Sequence, residues 1–423
     1  MHSKSAELRR RVVITGLGVV SSTGMGRDDF WTAVRDGRSG VRHVTGFACD
    51  DLTSRIAGEI VDFNPSDYMA AADARRSGKF VHYSVASARM ALEDSQLDVA
   101  SIDPFRIGAV FGNSSAGNGN VTDDIYARWM EKGIRGFGST DCVQLATHAA
   151  TAHVFIEMGL QGPNASVASG CCSGIEAIDR AAQALREGQA DMMVAGAAEA
   201  CVSRFGMALL CRVGVLSTYN EEPEKASRPY EATRNGLVLS EGGGAVILET
   251  AHHAIERGAP IYAEVKGYGT STEAHHLVAA DPSGVELAHA FRQALAEAHL
   301  APADIDYVCA HGIANLDYDR ADTRAIKQVL GERAHNIPVS SIKGTTGQPF
   351  AAGGAWQTAA ACMAMNEGIV PPTINYQQPD PDCDLDYVPN TARRARVDTV
   401  MVNSHSFGGT HAALILRKFD EKQ

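Results

Sequence analysis

No Cys-x-x-Cys pair occurs anywhere in this chain of 423 residues, and its nine cysteines are odd in number and scattered. That pattern offers neither the framework of a disulfide-stapled secreted domain nor the ligand spacing of a zinc site; it points to reduced thiols in the cytoplasm. Positive charge is in deficit as well: 38 Lys plus Arg face 50 Asp plus Glu, a net charge of -12. A nucleic-acid partner needs a basic surface, so the balance argues against one. It also repels acidic proteins at long range, so an acidic partner must find a local basic patch. The N-terminal stretch MHSKSAELRRRVVITG has arginines but no long apolar run with a small-residue cleavage site after them. Neither a signal peptide nor a membrane span is read. Solenoid repeats and low-complexity tracts are missing too.

What is present is an ordinary globular composition, 45% hydrophobic and 21% charged, in a chain long enough for a large core. Short β-branched runs recur: RVVITGLG from Arg11, RIGAVFG from Arg106, ASVASG from Ala165, DMMVAGAAEA from Asp191 and GGAVILE from Gly243. AEVKGYG from Ala263, DYVCAHG from Asp306, VDTVMVNS from Val397 and HAALILRKF from His411 continue the series. Ala-rich stretches with helical spacing lie between many of them, which predicts an α/β architecture with strands buried on both faces. Ile175, Ile178, Ala182 and Leu185 recur at three- and four-residue steps and predict a helix stopped by Gly188. A second helix is predicted over 355–365, ended by Asn366 and Gly368. The Pro-rich segment Pro371 to Pro389 is too short for an interdomain linker. The 41 glycines suit tight strand-to-helix turns, where active sites of α/β proteins lie.

One such turn carries chemistry. The segment NASVASGCCSGIEAI sets Cys171 between a strand and the first turn of an apolar helix. Unpaired N–H groups and the helix dipole favour a thiolate there, and the same donors suit the oxyanion of a thioester under attack. An unselected cysteine is more often a small buried hydrophobe.

The motifs TGLGVVSSTG, GPNASVASGCCSG, ASRPYEATRNGLVLSEGGGAVILE, VCAHG, VSSIKGTTG, VPPTIN and NSHSFGGTHAALIL follow one another in that order. Together they resemble the β-ketoacyl-ACP synthases of the KAS II type and the related type II polyketide ketosynthases, from about Arg11 to Phe419. The resemblance implies a five-layer αβαβα thiolase-like sandwich of two similar halves, 1–255 around Cys171 and 256–423 around His311, Gln348 and the Phe407 loop. It implies an acyltransferase of the EC 2.3.1 class, dimeric as a homodimer or a ketosynthase heterodimer. No metal and no resident cofactor are implied; 4'-phosphopantetheine arrives on an acyl carrier protein.

Carried over by residue, Cys171 matches the nucleophile, and its N–H with that of Phe407 matches the oxyanion hole. Phe407 also matches the gating phenylalanine. His311, in VCAHG, matches the first of the family's two histidines. The second should follow the lysine loop, yet the chain reads Lys343-Gly-Thr-Thr-Gly347-Gln348, an amide for an imidazole. Lys343 is kept, with Asp322 at the position of its acidic partner, and Asp319 keeps an acidic position nearby. A Gln amide donates a hydrogen bond but carries no charge, which would slow decarboxylation by roughly one to two orders of magnitude. His405, in NSHSFGG, either supplies the missing imidazole or packs as a replacement for an aromatic ring.

In the pantetheine channel, His311-Gly312-Ile313-Ala314-Asn315 replaces threonines that bind the arm; Ile313 cannot hydrogen-bond it and Asn315 can. His276 resembles a residue near the channel mouth. Leu237 stands where the family often has Phe, which suggests a roomier pocket. Arg75 and Arg76, followed by Lys79, match a basic carrier-docking stretch.

Three readings follow. The first is decarboxylative condensation of an acyl chain on Cys171 with a malonyl-type extender in fatty acid or polyketide synthesis. The second keeps acyl transfer, to another nucleophile, without decarboxylation. The third is a chain-length-factor-like subunit, disfavoured because such subunits normally replace the cysteine. A degradative thiolase is disfavoured because NSHSFGGT lacks that group's second cysteine motif, and Cys362 and Cys383 lie outside any such context.

Overall fold

The computed structural model describes residues 8, 10–116 and 119–421. Residues 1–7 and Arg9, part of the N-terminal stretch read above, lie outside the described residues. All nine β-branched runs form strands. In chain order the main strands are β1 (Val12–Ser21), β2 (Ile107–Gly112), β3 (Asn164–Val167), β4 (Met192–Glu199) and β5 (Gly242–Thr250). They continue as β6 (Ala263–Thr272), β7 (Tyr307–Cys309), β8 (Val339–Ser340), β9 (Thr399–His405) and β10 (Thr410–Arg417). Only β8, two residues long, was not anticipated by a sequence run.

These strands lie in one sheet in the order β8-β7-β9-β10-β6-β1-β5-β4-β2-β3, with a short strand, Gly24–Met25, beside β1. The order is a duplication. Read from either edge, each run of five strands goes third, second, fourth, fifth, first. The outer strands of each run are parallel and the inner ones antiparallel. The two runs meet where Val12–Ile14 pairs with Ala263–Val265.

Six helices build the layers: α1 (Lys79–Asp94), α2 (Ala149–Met158), α3 (Ser173–Arg186), α4 (Val285–Ala298), α5 (Leu316–Leu330) and α6 (Ala352–Glu367). The central pair, α3 and α6, pack on each other and on strands of both runs. Helices α1 and α2 cover the outer face of the first run, while α4 and α5 cover that of the second. Five layers result, αβαβα, as the resemblance implied. One apolar core fills the central layer, and another lies under each outer pair of helices.

The same sequence device seats the outer helix on each half. A Cβ at Gly18 of β1 would lie 1.9 Å from the Ser87 carbonyl oxygen of α1, and one at Gly269 of β6 would lie 2.0 Å from that of Ala290 of α4. Only glycine lets helix backbone rest on strand backbone this closely.

Helix α3 ends where predicted, with Gly188 left-handed just beyond it. Helix α6 is longer than predicted. It starts at Ala352, runs through the exposed Asn366 and is closed by the left-handed Gly368; the packing of the continuously buried stretch Ala352 to Met365 carries the last turn past the residue where propensity would end it. Among the described residues, no helix is long and apolar enough to cross a membrane.

Candidate active site

The nucleophile turn begins after β3. Gly170 adopts φ +66°, and a Cβ there would meet Ser406 Oγ at 2.9 Å. A 3₁₀ turn, Gly170–Cys172, then leads into α3. Serine hydroxyls hold it. Ser406 Oγ accepts from the Cys172 N–H at 3.0 Å and donates to Ser169 O at 2.6 Å. Ser173 Oγ accepts from the Ser169 N–H at 2.9 Å and lies 2.7 Å from Gly170 O. The turn of the first half is thereby fastened to the β9–β10 connection of the second.

Cys171 is 6% exposed and belongs to an apolar cluster that includes Cys201, Met207, Leu216, Leu237, Leu239 and Phe350. Burial pushes its thiol well up, Cys172 adds to the effect, and Lys343 and Gln348 oppose it. This corrects the sequence expectation of a standing thiolate. Desolvation of the sulfur outweighs the helix end, and the resting group is a neutral thiol.

Gln348 reaches the sulfur directly: its Nε2 donates to Cys171 Sγ at 3.4 Å, and its Oε1 has no partner among the described residues. Ser404 joins Cys171 to His311, its Oγ donating to Cys171 O at 3.1 Å and lying 3.3 Å from His311 Nδ1. Lys343 Nζ donates to His311 O at 2.6 Å and to Gln357 Oε1 at 3.2 Å, and stands 3.5 Å from His311 Nδ1. An ammonium only donates, so we assign the His311 proton to Nε2, which has no partner of its own. Burial first, then the charge of Lys343 and of His405 and His411, hold His311 far below the usual imidazole range. Burial likewise brings Lys343 down to about 8. Of the two N–H donors, that of Gln348 is bonded to the buried thiol, while that of His311, which Ser404 ties to Cys171, is unbonded.

Asp322 is not the contact partner of Lys343. Its carboxylate accepts from the Gly312 N–H at 3.1 Å, Tyr230 OH at 2.6 Å and Asn403 Nδ2 at 2.7 Å. Burial alone would raise Asp322, but His405 and these donors outweigh it and lower it. The neutral Gln357 stands at Lys343 in its place. Sequence reasoning missed Gln357, whose signal was a polar residue inside the Ala-rich run that forms α6. Asp319 pairs with Arg234 at 3.1 Å and accepts from the Ile313 N–H at 2.9 Å; burial pushes it up to about 6, against Arg234.

The ring of His405 lies 4.8 Å from that of His311, 5.3 Å from Tyr318 and 5.2 Å from His411, centroid to centroid. Its Nε2 faces Asp322 at 3.8 Å. The donor that meets the sulfur is therefore Gln348, with His405 packed beyond His311. Phe407 is half-buried against Tyr318 and Phe350. Among the described residues its N–H has no acceptor in the turn, where Ser406 N and Gly408 N donate to Thr410 O and Leu277 O.

Of the channel residues, Ile313 is buried in the cluster around Cys171. Asn315 caps α5, its Oδ1 accepting from Asp317 N at 3.1 Å and Tyr318 N at 3.4 Å, so that oxygen is committed to the helix. The exposed His276 forms a turn with the N–H groups of Val278 and Ala279. Leu237 is buried in the Cys171 cluster. Arg75 and Arg76 are exposed and line an open groove, whereas Lys79 turns to the buried Glu241 at 3.4 Å.

A twofold-repeated αβαβα sandwich with its cysteine at the tip of a central helix is the architecture of a condensing enzyme, and comparison with known proteins gives the family. Residues 9–254 match the β-ketoacyl synthase N-terminal domain and residues 262–377 its C-terminal domain, so the chain belongs to the β-ketoacyl synthase family. It is 39% identical, over 97% of its length and 100% of the relative's, to 3-oxoacyl-[acyl-carrier-protein] synthase 2 of Coxiella burnetii. It is 40% identical, over 98% of its length and 100% of the relative's, to the granaticin polyketide putative beta-ketoacyl synthase 1 of Streptomyces violaceoruber. Among solved structures it superposes at a TM-score of 0.90, with 33% identity, over 97% of this chain and 100% of the other. That structure is a type II polyketide acyl-carrier protein in complex with its ketosynthase bound to the hexaketide. The chain is thus a ketosynthase condensing enzyme of fatty acid or type II polyketide synthesis.

Proposed function

We propose that the chain loads an acyl group from an acyl carrier protein onto Cys171 and condenses it with a malonyl-type extender. The observation that carries this reading is the Gln348 amide at 3.4 Å from the Cys171 sulfur, with His311 tied to Cys171 through Ser404 and its Nε2 unbonded. In the first step the Cys171 sulfur attacks the thioester carbonyl and the pantetheine thiolate leaves. The thiol proton ends on that leaving sulfur, toward which the Nε2–H of neutral His311 can donate a hydrogen bond. The N–H groups of Cys171 and Phe407 would hold the oxyanion. In the second step the extender loses carbon dioxide, and its enolate oxygen sits between the N–H donors of His311 and Gln348. The enolate carbon then attacks the acyl-enzyme, and the Cys171 sulfur leaves and regains a proton. The acyl chain lies in the apolar cluster lined by Leu237.

The carrier protein is inferred from the similar ketosynthase complex and from exposed Arg75 and Arg76, which supply a local basic patch on a chain of net charge -12. A second subunit is inferred from the exposed rings of Tyr126, Trp129 and Phe137, where Trp129 meets Tyr126 edge-on and stacks on Phe137. We divide the halves at 255/256, between β5 and β6, and place the reaction in the cytoplasm, where nine unpaired cysteines stay reduced.

A second reading, acyl transfer without decarboxylation, is favoured by one observation: the donor at Gln348 carries no charge. Intact-mass analysis after incubation with acyl-ACP, followed by malonyl-ACP with capture of carbon dioxide, separates them. We expect an acyl adduct on the native protein, none on Cys171→Ala, and carbon dioxide with a β-keto product. An adduct without carbon dioxide selects the second reading, and no adduct overturns both.

A further inference from the structure

His405 ends β9, His411 lies one residue into β10, and the strand register sets them directly opposite one another. Opposed residues of an antiparallel pair project from one face with Cβ atoms about 4.5–5.5 Å apart, so the pairing itself delivers two imidazoles side by side. Glu273, just past β6, joins them. Its N–H donates to Gly409 O at 2.8 Å, inside the turn between the two histidines, and its Oε1 lies 3.2 Å from His411 Nε2. One ligand atom from each of the three residues falls within 4.8 Å of the others.

The cluster is interior. The side chains of His405, His411 and Glu273 are 0%, 1% and 3% exposed. Neither ring nitrogen of His405 has a hydrogen-bond partner among the described residues, nor has Nδ1 of His411. Buried imidazole nitrogens without partners cost free energy, and a group that accepts their lone pairs removes that cost. Two imidazoles and a carboxylate are the donor set of a first-row divalent cation. Side-chain shifts of about 1 Å would bring the three donors to bond lengths of about 2.0–2.2 Å, with a further position left to water. Asp322, 3.8 Å from His405 Nε2, stands where a carboxylate steadies a metal-bound histidine.

We propose that Glu273, His405 and His411 bind a zinc-like divalent cation at the base of the Phe407 loop. This departs from the absence of a metal expected from sequence, where positions 273, 405 and 411 form no spacing motif. The cation fastens both ends of the Ser406–Thr410 turn to the segment after β6, whose Leu277 O already accepts from Gly408 N at 2.8 Å. It acts as a clamp under Phe407 and does not depend on which acyl-transfer reading holds.

Cobalt(II) is the probe, because its visible spectrum reports ligand type and number. The full-length protein is stripped with chelator and titrated, with circular dichroism confirming that each variant is folded. One equivalent of cobalt should bind with a nitrogen/oxygen spectrum and raise the thermal midpoint. Glu273→Gln, which keeps shape, and His411→Asn should each weaken binding at least tenfold. Failure of the native protein to bind, a cobalt–thiolate band, or binding that persists unchanged in either variant overturns the site.

Discussion

The connection from β3 into α3 spans residues 168–172, and that from β8 into α6 spans residues 341–351; they occupy the same place in the two halves of the duplicated sheet. The first is a tight turn pinned by the hydroxyls of Ser173 and Ser406, and it presents the nucleophile. The second is longer, is pinned by the buried Lys343, and presents the amide donor. Duplication brings two equivalent strand-to-helix junctions to one point, and the divergence of their lengths assigns one to attack and the other to charge stabilisation. A short junction fixes a single atom; a long one has backbone enough to build a wall.

The largest expected effect breaks the anchor of the long junction. Lys343 falls to about 8 in the fold from an ordinary value of 10.5. Between those values the unfolded chain holds a proton that the folded chain has lost. Stability therefore rises with pH across that window, by about 3 kcal/mol in all, and that increment is absent below it. Lys343→Met should flatten the rise in urea midpoints between pH 7.5 and 10; an unchanged slope would show that the lysine is not held as described.

Next in size is the donor. Gln348→His should raise carbon dioxide release from malonyl-ACP roughly ten- to hundredfold by restoring a charge-capable imidazole, while acyl loading on Cys171 changes little. Unchanged release would mean that the amide is not what limits the second step. The smallest effect concerns the short junction: Ser173→Ala should cost about 1–2 kcal/mol in urea unfolding and slow loading on Cys171. Loss of stability with an unaltered loading rate would reduce Ser173 to a structural pin.

Local pattern made nine strands and α3 legible, because a fully buried strand reads as a short apolar run and an amphipathic helix imposes a period on its residues. The closing of those strands into a repeated order was not legible from periodicity, since pairing partners lie hundreds of residues apart; the family motifs supplied it. At the site, the strand-turn-helix pattern located Cys171, while its protonation went the other way, because burial depends on residues distant in sequence. Gln357 stayed hidden as one polar letter in an apolar helix, and Asp322 was assigned to Lys343 on chain position although its contacts run to Gly312, Tyr230 and Asn403. His405 and His411 became neighbours only through strand register.

Helix α6 is buried at every position from Ala352 to Met365. A rod sealed on all sides has no site where a bulky or charged substitution can escape into water, so this part of the enzyme resists redesign. Efforts to retune acyl length or extender choice have room chiefly in the apolar cluster around Cys171, where Leu237, Ile313, Phe350 and Phe407 meet. The axle stays fixed while the fittings change.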